Sequence, residues 1–210
     1  MYTVKTTNEE LEIFTFDTQE EAVACASGKA QYGYQVFAED GKMVFAPYSD
    51  LVCRMLAEGK RITDHVRTSG FTYGHALLNP AMNEVNKKVS CDRFVGWALY
   101  NVGYTDQPEQ SGLYVFCGND PTHDLTTYCE NHGFTRIDKL EDVQAGDVMF
   151  VIPSKTSTGR IYPGHTFMYA GKADGDNAYR YDCGSDKRIQ SVQPMCEPVN
   201  DFMYAYRPKA

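Results

Sequence analysis

The sequence has few of the features that mark membrane, nucleic-acid-binding or disulfide-framed proteins. None of its apolar runs approaches the roughly 18 residues that a membrane-spanning helix needs, so no membrane partner is expected. It carries 20 Lys and Arg against 28 Asp and Glu, a net charge of −8. This shortage of basic residues disfavours nucleic acid as a partner, because binding to phosphates depends on Lys and Arg. What remains, with 42% hydrophobic and 23% charged residues, is an ordinary globular composition.

Closely spaced cysteine pairs are missing as well. The seven cysteines stand far apart and include no C-x-x-C, which excludes a small disulfide framework. An alternative to free thiols is one disulfide between Cys183 and Cys196, which flank a predicted strand hairpin. One run of metal-binding residue types occurs: Cys117, His123, Cys129 and His132. Its spacing, C-x5-H-x5-C-x2-H, fits no common structural zinc site, so neither a metal nor another cofactor is expected.

The order of the predicted elements indicates an α+β protein in two parts. Residues 1–48 are predicted to be a small α+β unit with a targeting or regulatory role, in which Thr18 caps a helix and Asp40-Gly41 turns a hairpin. Residues 49–210 are predicted to form the main domain, where helices come first and an antiparallel sheet follows. Its expected strands are Phe134–Ile137, Asp147–Ile152, His165–Ala170, Ala178–Tyr181, Arg188–Val192 and Phe202–Arg207.

The segment VSCDRFVGWALY, residues 89–100, places a cysteine at the start of a predicted helix. With Ser90 as the cap, Cys91 lies in the first turn, where unpaired N–H groups and the helix dipole stabilise a thiolate. The same N–H groups are able to hold an oxyanion. Asp92 would raise the pKa of the thiol if it faced it, and Arg93 would oppose that effect. The alternative is an ordinary buried thiol that only packs.

A thiolate nucleophile needs a base, and His165 is the best candidate among five histidines. It begins a predicted strand that follows the strand GDVMFV. The next strand brings Asp182 beside the imidazole as the orienting group, with Asp176 and Asn177 as alternatives. Because strand residues alternate faces, Arg180 would share the side of Asp182 and either bind an acidic substrate or be solvated. The alternative for His165 is a core histidine satisfied by a hydrogen bond.

Taken in order, these segments resemble the NlpC-type cell-wall cysteine endopeptidases and the CHAP amidases, which have a papain-like fold. The family pattern is a helix start Asp-Cys-Ser-Gly/Ser-Phe-Val, a strand Gly-Asp-Leu/Val-Val-Phe-Phe and a strand His-Val-Gly-Ile-Tyr-x-Gly. The matching residues are Cys91, Phe94, Val95, Gly146, Asp147, Val148, Phe150, His165, Tyr169 and Gly171. Ser90 and Asp92-Arg93 depart from the pattern, which affects the substrate more than the mechanism.

The resemblance implies a cysteine hydrolase that cleaves an amide bond in peptidoglycan stem peptides through Cys91, His165, Asp182 and a thioester intermediate. It also implies that Tyr73 helps to shape the site, and we expect Asp92, Arg93 and Arg180 near the substrate. An N-acetylmuramoyl-L-alanine amidase, another papain-like acyl-transfer or deconjugating enzyme, and a non-catalytic binding module stay open. The N terminus, MYTVKTTNEELEIF, shows no signal peptide, so a phage lysin, a prophage product, a secreted effector or a truncated secreted enzyme is expected.

Overall fold

Residues 1–74, 84–103 and 125–209 are described by a computed structural model. The first part of the chain folds into a small sheet with a helix. Strands β1 (Tyr2–Lys5), β2 (Phe14–Phe16), β3 (Gln35–Ala38) and β4 (Met43–Phe45) pair antiparallel in the order β2-β1-β3-β4. Helix α1 (Gln19–Gly28) begins where the Thr18 side chain accepts a hydrogen bond from the Glu21 backbone N–H, as a helix cap does.

Among the described residues, further helices follow, and two short strands lie between the first and the second of these helices. Helix α2 (Asp50–Thr68) is capped by the Ser49 side chain. Helix α3 (Cys91–Asn101) comes after strands β5 (Thr72–Tyr73) and β6 (Lys88–Val89), which pair parallel. Helix α4 (Leu125–Asn131) precedes the large sheet. In the described ranges, no helix is both long and apolar enough to cross a membrane.

The large sheet has six strands, all paired antiparallel, in the order β11-β10-β9-β8-β12-β7. The strands are β7 (Thr135–Ile137), β8 (Val148–Lys155), β9 (Ile161–Lys172), β10 (Asn177–Tyr181), β11 (Met195–Pro198) and β12 (Phe202–Arg207). Helices that precede an antiparallel sheet make this an α+β protein, as the sequence predicted.

The predicted strand Arg188–Val192 is wrong. Residues Asp186–Ile189 instead form a short helix, α5, whose first turn is capped by Ser185 through a hydrogen bond from the Arg188 N–H, 3.3 Å long. The strand next to β10 begins later, at Met195. A serine followed by an acidic residue is a helix-start signal, and it outweighs the β-type residues that follow in the sequence.

The large sheet has a hydrophobic cluster on each of its faces. Val148 and Phe150 of β8 pack in the main core with helices α2, α3 and α4, whereas Met149 and Val151 belong to a second cluster. This alternation is the period of two expected of a strand. The antiparallel register between β8 and β9 places Val151 opposite His165, so the core fixes where the histidine lies.

The N-terminal strands do not extend the large sheet, yet they pack against the main domain. Their hydrophobic cluster, built around Val4 and Val36, is separate from the main core. The Tyr181 hydroxyl, which comes from β10, donates a 2.6 Å hydrogen bond to the Gln31 carbonyl. The ring of Tyr181 lies so close to Gly59 of α2 that a Cβ there would be 2.6 Å from it. The first unit therefore contacts the strand that leads into Asp182.

Candidate active site

Cys91 is the first residue of a helix that is buried on nearly all sides. Each residue from Cys91 to Leu99 is buried, because the helix packs between the sheet and α2. Ser90 occupies the cap position, but its side chain makes no capping hydrogen bond. It bonds instead to the Asp92 carboxylate. The predicted position of Ser90 as the cap residue is confirmed, but its hydroxyl does not supply the capping hydrogen bond.

The structure brings Cys91, His165 and Asp182 together. His165 Nε2 lies 3.1 Å from the Asp182 carboxylate, and the imidazole also hydrogen bonds to Cys91. With Nε2 directed at Asp182, Nδ1 is the ring nitrogen left for the thiol. A thiol, an imidazole and a carboxylate linked in this order form the arrangement in which a base activates a nucleophile and a third group orients the base.

The environment of His165 favours the imidazolium. Burial lowers the pKa of His165, but hydrogen bonds to Asp182 and Cys91, together with their charges, outweigh burial and raise the pKa to about 9. At neutral pH the ring is then a cation next to the thiol. The part of this attraction that comes from Cys91 is mutual, so the imidazolium stabilises a thiolate on Cys91 and the pair can exist as a thiolate and an imidazolium.

Asp182 is held as an anion at the end of β10. Burial raises the pKa of this carboxyl, but the hydrogen bond from His165 and the charges of His165, Arg188 and Arg180 outweigh burial and leave the pKa below its usual value. Gly184 N–H also donates to Asp182 Oδ1, at 2.7 Å. The alternatives Asp176 and Asn177 lie at the opposite end of β10 from Asp182.

Arg180 is buried and not solvated. It is only 6% exposed, lies 3.5 Å from Asp182 Oδ2 and forms an ion pair with Glu197. Its guanidinium stands over the Phe167 ring at 5.0 Å. The expectation of a solvated arginine is therefore wrong, because a guanidinium is buried where carboxylates pair with it, and here Asp182 and Glu197 do so. Substrate binding by Arg180 stays a prediction.

Asp92 and Arg93 are buried too, and contact of either residue with a substrate stays a prediction. Burial, and next the charge of Cys91, raise the pKa of Asp92 to about 7, although the Ser90 hydrogen bond and Arg93 lower it in part. Asp92 Oδ2 has no hydrogen-bond partner. Ionisation of a carboxyl group in this position destabilises the folded protein, and Asp92 ionises near neutral pH.

We predict that Asp92→Asn removes a pH dependence of stability. An unfolded Asp ionises near pH 4, whereas folded Asp92 keeps its proton to about pH 7. Between these values the folded state binds more protons, so the free energy of unfolding falls as pH rises. At pH 8 the Asn variant should be more stable by about 4 kcal/mol. Urea unfolding at pH 4.5 and pH 8 measures this, and equal gains at both pH values would contradict it.

Tyr73 lies beside the strand that leads into the nucleophile. β5 pairs with β6 so that Tyr73 is opposite Val89, which comes just before Ser90 and Cys91. The Tyr73 backbone N–H donates to Asp186 Oδ1, which attaches β5 to helix α5. The residue is 37% exposed. This position is next to the start of α3, and a site-shaping role for Tyr73 stays a prediction.

The sequence reasoning missed Gly184 and Arg188. A Cβ built on Gly184 would be 2.6 Å from His165 Cε1, so the glycine allows the imidazole to lie against the backbone. Arg188 Nη1 donates to Asp182 Oδ2 at 2.9 Å. A signal for Gly184 is present in the sequence, because Asp-x-Gly after a strand is typical of a tight turn. Arg188 has no such signal, since its role depends on a tertiary contact.

Within the described ranges, no group of three His, Cys, Asp or Glu side chains is arranged to hold a metal. Cys117 and His123 lie outside those ranges. His132 stacks on the Tyr128 ring at 3.8 Å, and its Nδ1 is 2.9 Å from the Tyr128 carbonyl oxygen. Cys183 and Cys196 are not joined by a disulfide; Cys183 is buried and Cys196 is exposed.

In comparisons with known proteins, no family model, no curated protein and no solved structure matches this chain. What the protein does is therefore inferred from the geometry of the site and from the motifs in the sequence.

Proposed function

We propose that the protein is a papain-like cysteine hydrolase that cleaves an amide bond in peptidoglycan stem peptides. One observation carries the hydrolase part: the imidazole of His165 hydrogen bonds to Cys91 and lies 3.1 Å from the Asp182 carboxylate. The order of the three motifs, which resembles NlpC-type endopeptidases and CHAP amidases, supports the peptidoglycan part. A cysteine helix packed on an antiparallel sheet that carries the histidine supports the papain-like part.

The mechanism follows from the protonation states of the pair. The thiolate of Cys91 attacks the carbonyl carbon, and the backbone N–H of Cys91 at the helix start contributes to the oxyanion hole. The His165 imidazolium gives its proton to the leaving amine, which leaves a thioester on Cys91. Neutral His165 then takes a proton from water, and the resulting hydroxide attacks the carbonyl carbon of the thioester. The C–S bond breaks, which releases the acid and restores the Cys91 thiolate. Asp182 keeps the ring oriented throughout.

The alkaline limit of activity is expected near pH 9. The pKa of His165 is raised to about 9, so the ring is protonated below this pH and loses its proton above it. Because acylation needs an imidazolium to protonate the amine, kcat/KM should fall as pH rises through about 9. The measurement is kcat/KM from pH 5 to 10.5 on a soluble stem peptide. A fall that is already complete at pH 7 would contradict this assignment of the acid.

The substrate is tested by digesting purified sacculi and identifying the soluble products by mass spectrometry. Fragments cut within the stem peptide indicate an endopeptidase, and intact stem peptides freed from muramic acid indicate an amidase. Protein blocked at Cys91 with iodoacetamide is the control and should release nothing.

If sacculi are not cut although Cys91 alkylates rapidly at pH 6–7, the thiol is activated for another amide and the peptidoglycan assignment is wrong. Slow alkylation there would remove the catalytic assignment itself.

A further inference from the structure

The buried carboxylate of Asp182 has more than one cationic partner. Arg188 Nη1 lies 2.9 Å from Asp182 Oδ2, and His165 Nε2 lies 3.1 Å from the same carboxylate. Arg180 Nε stands farther away, at 3.5 Å. Because the Asp182 side chain is fully buried, water screens these charges little. The imidazole and Arg188 therefore compete for one anion.

Arg188 is fixed in this position from both of its ends. Its Nη2 lies 3.3 Å from Glu197 Oε2, which holds the guanidinium from the side away from Asp182. At the backbone, the Ser185 side chain accepts from the Arg188 N–H, and Gln193 Nε2 donates to the Arg188 carbonyl at 3.1 Å. Gln193 Nε2 also donates to the Asp182 carbonyl, at 3.1 Å. These contacts place the Arg188 guanidinium beside Asp182.

The charged groups nearest to Asp182 and the imidazole carry both signs. The cations are His165, Arg180 and Arg188, and the anions are Asp182, Glu197 and the Cys91 thiolate. Two further titratable groups, Asp92 and Cys183, interact with Cys91. From β8, the residue opposite His165 is the apolar Val151. Removing one cation from this set leaves the remaining anions to act more strongly on the imidazolium.

We propose that Arg188 is a positioning residue that sets the basicity of His165 by drawing away part of the Asp182 charge. Without Arg188, the carboxylate would bind the imidazolium more tightly, and the ring would give up its proton to a leaving amine less readily. Asp182 itself does not need Arg188 to stay in place, because Gly184 N–H holds Oδ1 at 2.7 Å and Gln193 holds the backbone carbonyl. The electrostatic effect is therefore the dominant one.

The consequence for turnover rests on the proposed hydrolase function, but the charge arrangement is testable without a substrate. The measurement is an NMR titration of the full chain with ¹³Cε1-labelled histidine. Five histidines are present, and the His165 signal is assigned by its loss in His165→Ala. The wild-type midpoint is expected at about 9. In Arg188→Gln it should rise by about half a pH unit or more, and in Arg188→Lys it should stay nearer the wild type.

Two further variants make the result specific. Arg61→Gln is the matched control, because Arg61 is 31% exposed and paired with Glu58, while Arg188 is 30% exposed; it should leave the midpoint unchanged. Glu197→Gln frees Arg188 and Arg180 from their second carboxylate, so the midpoint should fall. An unchanged or lowered midpoint in folded Arg188→Gln overturns the proposal, as does an unchanged or raised midpoint in Glu197→Gln. If all variants shift as expected but sacculi are never cut, the proposed function fails and this inference stands.

Discussion

Replacing Cys91 with alanine is expected to abolish peptide release from sacculi while leaving the fold unchanged. In the proposed mechanism the Cys91 thiolate forms the covalent bond to the acyl carbon, so its loss should lower kcat by roughly 10⁴-fold or more. The thiol fills little volume at the start of α3, and alanine is a good helix former. The rate of soluble peptide release, followed by mass spectrometry, measures the loss, and circular dichroism checks the fold.

The chain supplies a matched control in Cys53. It is a buried cysteine on helix α2, outside the proposed triad, and burial raises the pKa of its thiol to about 11. Cys53→Ala makes the same chemical change as Cys91→Ala, yet it should keep full activity and slow iodoacetamide labelling only slightly. Wild-type release by Cys91→Ala would show that the thiol does no chemistry. Equal loss in both variants would point to a general effect of removing a buried sulfur.

Much of the site was predictable because each part has a local signal. A polar residue and a cysteine ahead of an apolar helical run predict Cys91 in the first turn of α3, and the structure begins that helix at Cys91. Asp182 was predicted from its place after the histidine strand, where the family that the motifs resemble has its orienting group. Strand alternation sends Tyr181 to the opposite face, and Tyr181 packs in the main core. Periodicity and end signals of this kind depend only on neighbouring residues.

The parts that were not predicted depend on partners distant in sequence. A solvated Arg180 was one of two alternatives, and nothing in the strand itself shows that Asp182 and Glu197 bury its charge. Helix α5 has four residues, which is too short to show a helical period, so its β-type residues suggested a strand. The Ser90 hydroxyl bonds to the Asp92 carboxylate and not to a backbone N–H of the helix. This choice of partner depends on the burial of Asp92, which the local sequence does not show.

Gly184→Ala is expected to cause the second large loss of activity, through steric displacement of the base. A Cβ on residue 184 would lie 2.6 Å from His165 Cε1 and 3.1 Å from both His165 Nε2 and Asp182 Oδ1. Ordinary van der Waals contact begins near 3.4 Å. Either the His165 ring therefore has to move by most of an ångström, or the turn has to open. A misplacement of this size in a catalytic group costs about 100-fold in rate.

The backbone itself does not require glycine at this position, which makes the experiment specific. Gly184 does not have the left-handed φ found at nine other glycines of the described chain, so alanine brings no backbone strain and acts through its contacts with the His165 ring and the Asp182 carboxylate. We expect kcat/KM to fall about 100-fold and Cys91 alkylation at pH 6–7 to slow, because the displaced imidazolium no longer holds the thiolate. Gly28→Ala is the control, since no atom lies within 4 Å of a Cβ there. If Gly184→Ala has the kcat/KM and the Cys91 alkylation rate of the wild type, the site accommodates the added methyl group. Contact with the 182–185 turn then does not position the imidazole.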